Sequence, residues 1–367
     1  MHHPSSIDKA SSRFIIYLVT VALCVLLTAC TANITTTGNP PVISTASSGG
    51  SGCQGSSCAV GSGAQGVQVF VEPNAGDRVI TDAINGAKKS VWMEMYLLTD
   101  RNVINSLEDA ARRGIDTRVM LETHPYGSGS VSPTQTLDRL KAAGVQTNST
   151  SPSFALTHEK GMVIDGNTAF IMSCNLTLSA LGGSSGTTNR EYGIIDTNQQ
   201  DVQSVIDIFN ADWNRSNVQV NDANLVVSPI NSRNDFTSLI DSAKKSLVIE
   251  AEEMQDSDVE QAIVNAAKHG VQVQVILPSP SGSSGDSNSS GIATIKQGGV
   301  QVKEDPHYYM HAKMMVIDGQ KGFVGSENIS TASLDRNREL GIILSDQNVL
   351  NTLQQTFQQD WADSQSA

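Results

Sequence analysis

His158-Glu159-Lys160-Gly161-Met162-Val163-Ile164-Asp165-Gly166 and His311-Ala312-Lys313-Met314-Met315-Val316-Ile317-Asp318-Gly319 are two versions of one pattern: a histidine, a lysine two residues on, an apolar run, then aspartate and glycine. Matched partners follow each version, first Ser173-Cys174-Asn175 and Ser326-Glu327-Asn328, then Asn189-Arg190-Glu191 and Asn337-Arg338-Glu339. A single His-x-Lys occurs by chance in many chains, whereas recurrence of His, Lys, Asp, Ser, Asn and Glu in one order does not. The apolar runs predict strands, in which residues two apart share a face, so His158 and Lys160 aim the same way. Asp165-Gly166 and Asp318-Gly319 are hairpin signals that return the chain and bring each Asn alongside its His and Lys. One such cluster surrounds an imidazole with an ammonium, an amide and a hydroxyl, a donor-rich pocket for an anion. Two clusters facing each other supply a pair of histidines, one to attack as the neutral base and one to protonate a leaving oxygen.

The repetition extends outward from these motifs. Residues 67–98 predict a strand (Val67 to Val71), a helix (Val79 to Ala87) and, after Lys88-Lys89-Ser90, a strand from Val91 to Tyr96. Residues 225–254 repeat the order with Leu225 to Val227, Phe236 to Ala243, Lys244-Lys245-Ser246 and a strand from Leu247 to Glu250. Ala87 to Ser90 and Ala243 to Ser246 lie 156 positions apart, as do Ala111 to Gly114 and Ala267 to Gly270. A period this long argues for two copies of a βα-rich unit, each a mainly parallel or mixed sheet covered by helices. The expected divisions are a first repeat over 67–220 and a second over 221–367. Gly/Ser-rich loops at Tyr126 to Pro133 and Ser279 to Gly291 follow matching strands, at the end where ligands usually bind. Lys88, Lys89, Lys244 and Lys245 are placed at helix ends, where cations complement the dipole.

Composition bounds the rest. With 39% hydrophobic and 17% charged residues the chain is neither wholesale disordered nor a polytopic membrane protein. Its 24 basic and 37 acidic residues give a net charge of −13, which disfavours nucleic acid as a partner. Phe14 to Ala29 forms a short apolar run behind Lys9 and Arg13, the pattern of an export signal rather than a membrane span. Leu27-Thr28-Ala29-Cys30 resembles the lipobox of bacterial lipoproteins, which implies cleavage after residue 29, acylation of Cys30 and anchoring to the bacterial cell envelope. The segment 30–66 reads as an uncharged Ser/Thr/Gly-rich tether. Cys53 and Cys58 are spaced for a small disulfide or two free thiols, and Cys174 reads as a packed residue. No metal site is assigned. Tyr308 and Tyr309 either line a mouth ahead of His311 or pack in its rim.

The doubled motif resembles that of the phospholipase D superfamily, whose two HKD motifs meet at a pseudo-twofold interface, and the resemblance runs from about residue 67 to the end. It implies a phosphodiesterase working through a phosphohistidine, with no metal and no cofactor. Carried over by resemblance, His158 is the nucleophile and His311 the general acid and then base. Lys160, Lys313, Asn175 and Asn328 hold the phosphate and Ser173 and Ser326 line it. Glu191 and Glu339 orient the imidazoles, and Asp165 and Asp318 are structural. One departure is Met172 where the second motif has Gly325, which predicts a narrower first half-site. Phospholipid is the expected substrate, with headgroup hydrolysis or transfer. The alternatives are a metal-independent nuclease of the same superfamily and a noncatalytic envelope protein that binds lipid headgroups. The internal pairing of repeats predicts a monomer.

Overall fold

The computed structural model describes residues 61–126, 132–183, 186, 188–280 and 286–367. The signal over 1–29, the acylation site Cys30, the tether up to residue 60 and the pair Cys53 and Cys58 lie outside the described residues.

The first repeat runs β1 (Gln68–Glu72), α1 (Arg78–Gly86), β2 (Ser90–Met95), α2 (Arg101–Arg112), β3 (Asp116–Leu121), α3 (Pro133–Ala142), β4 (Gln146–Ser149), β5 (Lys160–Ile164), β6 (Thr168–Met172), β7 (Asn189–Asp196) and α4 (Gln199–Trp213). The second runs β8 (Leu225–Ser228), α5 (Ser232–Asp241), β9 (Ser246–Ala251), β10 (Met254–Gln255), α6 (Ser257–Lys268), β11 (Gln272–Pro278), α7 (Ser289–Gln297) and β12 (Gln301–Asp305). It continues with β13 (Tyr309–Met310), β14 (Lys313–Ile317), β15 (Lys321–Gly325), β16 (Ile329–Ser330), α8 (Thr331–Asp335), β17 (Glu339–Leu344), α9 (Gln347–Asp363) and β18 (Gln365–Ser366).

Sheet order confirms the duplication. The first sheet reads β1-β7-β6-β5-β2-β3-β4, and the second reads β8-β17-β15-β14-β9-β11-β12 with β18 added at its edge. In both, the strands joined by helices pair in parallel and the hairpin strands pair antiparallel, so the sheets are mixed. The equivalent helices α2 and α6 start behind matching carboxylate caps: Asp100 accepts from the backbone of Asn102 and Val103, and Asp256 from Asp258 and Val259.

Three apolar cores follow. One lies under the helices of the first repeat, around Val103, Leu107 and Val119. Another occupies the equivalent place in the second, around Val259, Ile263 and Val275. The third joins the repeats: Val163, Ile171 and Ile194 of one sheet meet Met314, Val316 and Ile342 of the other, flanked by Val205 of α4 and Phe357 of α9. Covered on both faces, β5 and β14 are buried along their whole length, which is why their sequences are continuously apolar rather than alternating.

Each motif aspartate closes a turn. Asp165 and Asp318 sit at φ 55° and 54°, before glycines at 69° and 65°, the left-handed pair that a tight hairpin needs. The Asp165 carboxylate accepts the backbone N–H groups of Lys88, Lys89 and Ser90 at 2.6–3.0 Å. Asp318 does the same for Lys244, Lys245 and Ser246 at 2.7–2.9 Å. The paired lysines therefore stand in these caged turns and not in the last helical turns where the dipole argument put them, because α1 and α5 already end at Gly86 and Asp241.

Two boundaries also move. Residues 61–66, assigned to the tether by composition, are docked: Ala64 bridges to Leu344, and Gly63 and Gly66 donate to Asn224 and Asp346. The second Gly/Ser-rich loop gives way to α7 at Ser289, behind Asn288, whose side chain binds the backbone of Glu252 and Met254. Asp318→Ala removes three backbone contacts at a water-accessible turn and should lower stability by about 1–2 kcal/mol in urea unfolding, with an unchanged m-value.

Candidate active site

The segment before each histidine adds itself to the edge of the other repeat. Thr157 bridges to Arg338 and the His158 N–H donates to the Arg338 carbonyl at 2.8 Å, just ahead of β17. In the reciprocal contact, β13 pairs Tyr309 and Met310 with Asn189 and Arg190 at the start of β7. Each histidine is thereby delivered to a carboxylate of the opposite repeat. His158 Nδ1 lies 2.9 Å from Glu339 Oε2, and His311 Nδ1 lies 2.8 Å from Glu191 Oε1.

Those carboxylates are themselves fixed. Glu191 accepts from Ser173 Oγ at 2.7 Å and Asn189 Nδ2 at 3.0 Å, and Glu339 from Ser333 Oγ at 2.7 Å and Asn337 Nδ2 at 3.1 Å. Burial would raise the Glu339 carboxyl, but His158 and Lys160 hold it below its ordinary value. Glu339 therefore stays ionised and accepts a hydrogen bond from Nδ1–H of His158, leaving Nε2 for chemistry. Burial lowers the His158 pKa below 6.5 despite Glu339, which keeps that ring neutral. Lys160 is pushed down to about 7, chiefly by burial, and its Nζ donates to the His158 carbonyl at 2.6 Å.

Both rings line one cavity of about 980 Å³, together with Asn175, Asn328, Tyr96, Tyr126, Leu178, Tyr309 and Arg336. Each asparagine keeps one buried side-chain oxygen without a partner. Lys160 and Lys313 lie behind the histidines, buried, and do not form the cavity wall. Ser173 and Ser326 differ from expectation: they are fully buried outside the wall and accept the N–H groups of Tyr192 and Leu340. Their hydroxyls tie strands together, and Ser173 also holds Glu191.

Met172 does not narrow the half-site either, since its side chain packs into the outer core of the first repeat. At the matching Gly325 a Cβ would meet Glu327 Oε2 at 2.4 Å and the Gly341 Cα at 2.5 Å, so the glycine makes room for Glu327, which stands where the first repeat has Cys174. Burial raises both Glu327 and the Cys174 thiol well above their ordinary values, which disfavours the charged form of each.

One residue escaped the sequence reading. Glu252 follows β9 at the position where Tyr96 follows β2. Its Oε2 lies 2.7 Å from Lys313 Nζ, 3.3 Å from His311 Nε2 and 3.4 Å from Asn328 Nδ2, and Tyr309 donates its hydroxyl to Oε1 at 3.0 Å. Burial works against ionisation here, but His311 and Lys313 hold this carboxyl far below its ordinary value. Tyr96 in the first half-site instead sets its ring edge-on to His158 at 4.7 Å. Doubling the strand register onto itself would have exposed this exchange.

Among the described residues, Glu94, Glu159 and Asp212 bring carboxylate oxygens within 4.8 Å of one another. Asp212 already grips Arg338 through both oxygens, and burial raises all three, Glu159 to about 8. With Asp212 committed to Arg338 and Glu159 raised by burial, the trio is not a set of free cation ligands. Beside Glu250, the second-repeat counterpart of Glu94, stands Tyr192 of the first repeat, whose hydroxyl donates to Glu250 at 2.6 Å.

A family model described as cardiolipin synthase, PLD-like domain, matches residues 80–213 and 236–361, one block on each repeat. The chain is similar to a cardiolipin synthase of Oceanobacillus iheyensis, 24% identical over 339 residues, covering 80% of this chain and 68% of that protein. It is similar also to a probable cardiolipin synthase of Bacillus subtilis, 25% identical over 330 residues, covering 78% of this chain and 64% of that protein. It thus spans about two thirds of the length of these relatives. Among solved structures, a phosphatidylserine synthase of Haemophilus influenzae superposes with a TM-score of 0.65 at 12% identity, covering 83% of this chain and 88% of that one. A polyphosphate kinase from Porphyromonas gingivalis gives 0.62 at 14%, covering 80% and 46%. At such identities the two structures share a fold and need share nothing else.

The protonated carboxyls have a measurable consequence. Glu159 keeps its proton in the fold up to about pH 8, whereas its ordinary value is 4.5, so the unfolded chain releases it first and stability falls as pH rises between those values. Glu159→Gln removes this contribution, and the fall in thermal midpoint from about pH 5 to about pH 8 should shrink by about 2–4 °C relative to the parent chain.

Proposed function

Because the chain belongs to the cardiolipin synthase, PLD-like domain family, we propose that it transfers phosphatidyl groups between alcohols through a phosphohistidine on His158. The observation that carries this reading is the shared cavity, into which two imidazoles project with each Nδ1 held by a carboxylate of the opposite repeat. His158 Nε2 attacks phosphorus, and the bond to the leaving alcohol oxygen breaks as His311 donates its proton to that oxygen. A second alcohol then attacks the phosphohistidine, His311 takes its proton, and the product diester leaves with His158 restored. Lys160, Lys313, Asn175 and Asn328 offset the charge that builds on the nonbridging oxygens. Glu191 and Glu339 act as positioning residues.

The cavity also supports a lipid substrate. Tyr126 and Leu178, exposed by 81% and 49%, stand in its wall as apolar side chains open to the surroundings. Among the described residues of its wall, Arg336 is the one basic residue besides the histidines, and Glu252 and Glu253 face the cavity, a poor lining for a polyanion such as nucleic acid. No helix among the described residues is long and apolar enough to cross a membrane. We place the membrane attachment at an acylated Cys30, and Cys30→Ser should move the protein from the membrane fraction to the soluble one.

With EDTA present, the protein should convert phosphatidylglycerol vesicles to cardiolipin and glycerol, read by lipid chromatography; phosphatidic acid as the sole product would mean hydrolysis instead. His158→Ala and His311→Ala should each lower turnover roughly a thousandfold or more. The acid limb of the pH profile should lie below 6.5, since burial lowers His158 from that value. Plasmid cutting without lipid turnover would overturn the assignment.

A further inference from the structure

The donors that the proposed reaction needs in the second half-site are already taken. Lys313, Asn328 and His311 all point at one carboxylate oxygen of Glu252, while its other oxygen accepts from Tyr309. His311 consequently stands between two carboxylates, Glu191 at Nδ1 and Glu252 at Nε2. Each lysine also donates to the carbonyl of its own histidine, Lys160 at 2.6 Å and Lys313 at 2.8 Å, but among the described residues the first half-site has no such carboxylate, its equivalent position being Tyr96. One half-site is open, and the other is filled by the chain itself. The backbone of Glu252 is tied to Asn288 Nδ2 at 2.9 Å, so clearing the site is a matter of turning the side chain and not of moving the loop.

We propose that Glu252 is a specificity-determining residue, an internal anion that occupies the phosphate position of the second half-site and is displaced by a phosphodiester substrate but not by a small anion. This rests on the phosphatidyl-transfer reading and extends it. A carboxylate and a nonbridging phosphate oxygen compete for the same N–H and ammonium donors. A small anion that enters while Glu252 stays must bring like charges into contact, and one that displaces it only exchanges one anion for another. A phosphatidyl substrate has further contacts to spend, from its glycerol and acyl groups against the cavity wall. Free phosphate has none. The enzyme therefore keeps its centre filled, resists inhibition by inorganic phosphate, and admits only diesters with substantial groups on either side.

Binding of inorganic phosphate, measured by calorimetry at neutral pH, tests this without any turnover. Glu252→Gln and Glu252→Ala should each bind phosphate at least tenfold more tightly than the parent chain, and adding Lys313→Met to either should abolish the gain. Affinities within twofold of the parent in both single variants would overturn the proposal. On the unmodified protein, a short-chain phosphatidylglycerol should protect the histidines from diethyl pyrocarbonate and millimolar inorganic phosphate should not; equal protection by both would also overturn it. Failure of lipid turnover with tightened phosphate binding would sink the transfer reading alone and leave Glu252 as an internal anion.

Discussion

Everything at the centre of this protein depends on a reciprocal exchange between its repeats, in which each imidazole is held by a carboxylate that the other repeat supplies. The backbone makes the exchange possible, because the residues ahead of each histidine extend the opposite sheet and arrive beside its glutamate. Two buried ion pairs repeat the arrangement further out. Arg190 of β7 binds Asp360 of α9, and Arg338 ahead of β17 binds Asp212 of α4, each through two hydrogen bonds at 2.6–3.1 Å. Aromatic rings cover both guanidinium groups, Tyr308 at 4.4 Å and Phe154 at 4.2 Å. Removing either partner would strand a buried charge, so the geometry of the site and the integrity of the interface are one property.

Within this symmetry the two halves have diverged at the positions that chemistry would separate. Tyr96 corresponds to Glu252 and Cys174 to Glu327, and where Glu94 has Glu159 beside it, Glu250 has Tyr192. These differences surround His158 with burial and no adjacent anion at Nε2, and surround His311 with carboxylates at both nitrogens. Burial lowers His158 from its ordinary value and so favours its neutral ring. A twofold scaffold thereby presents two imidazoles in different surroundings to one cavity.

Much of this was legible in the chain because the chemistry fixes residue types at strand spacings. His158 with Lys160 and His311 with Lys313 could be placed on one face from their two-residue separation, and Asp165-Gly166 and Asp318-Gly319 announced the hairpins. The register of 156 positions marked two copies of one βα-rich unit, and the strand order within each sheet came only with the structure. What was hidden lay in side-chain direction and in differences between the copies. Met172 and Gly325 were aligned correctly, but alternation sends Met172 to the outer core. Ser173 and Ser326 lie two residues before the asparagines, just past the ends of β6 and β15, where strand alternation no longer decides direction, and their hydroxyls turn to the N–H groups of Tyr192 and Leu340. Glu252 carried no motif, since its partners Tyr309, Lys313 and Asn328 come together only through tertiary folding. The backbone hydrogen bonds that dock residues 61–66 have no compositional signal at all.

The doubled ion pairs and the shared apolar core have a last implication, for the stretch 214–224 that links α4 to β8. Neither the carboxylate exchange nor the edge-strand additions pass through it. Covalent continuity at that connector is therefore not what unites the lobes: a chain severed there would hold together as two complementing fragments, whereas either fragment alone would present an uncovered sheet face and stranded charges to water. Such a fragment would pair with a copy of itself if it could, forming the closed twofold dimer whose fused descendant this architecture resembles.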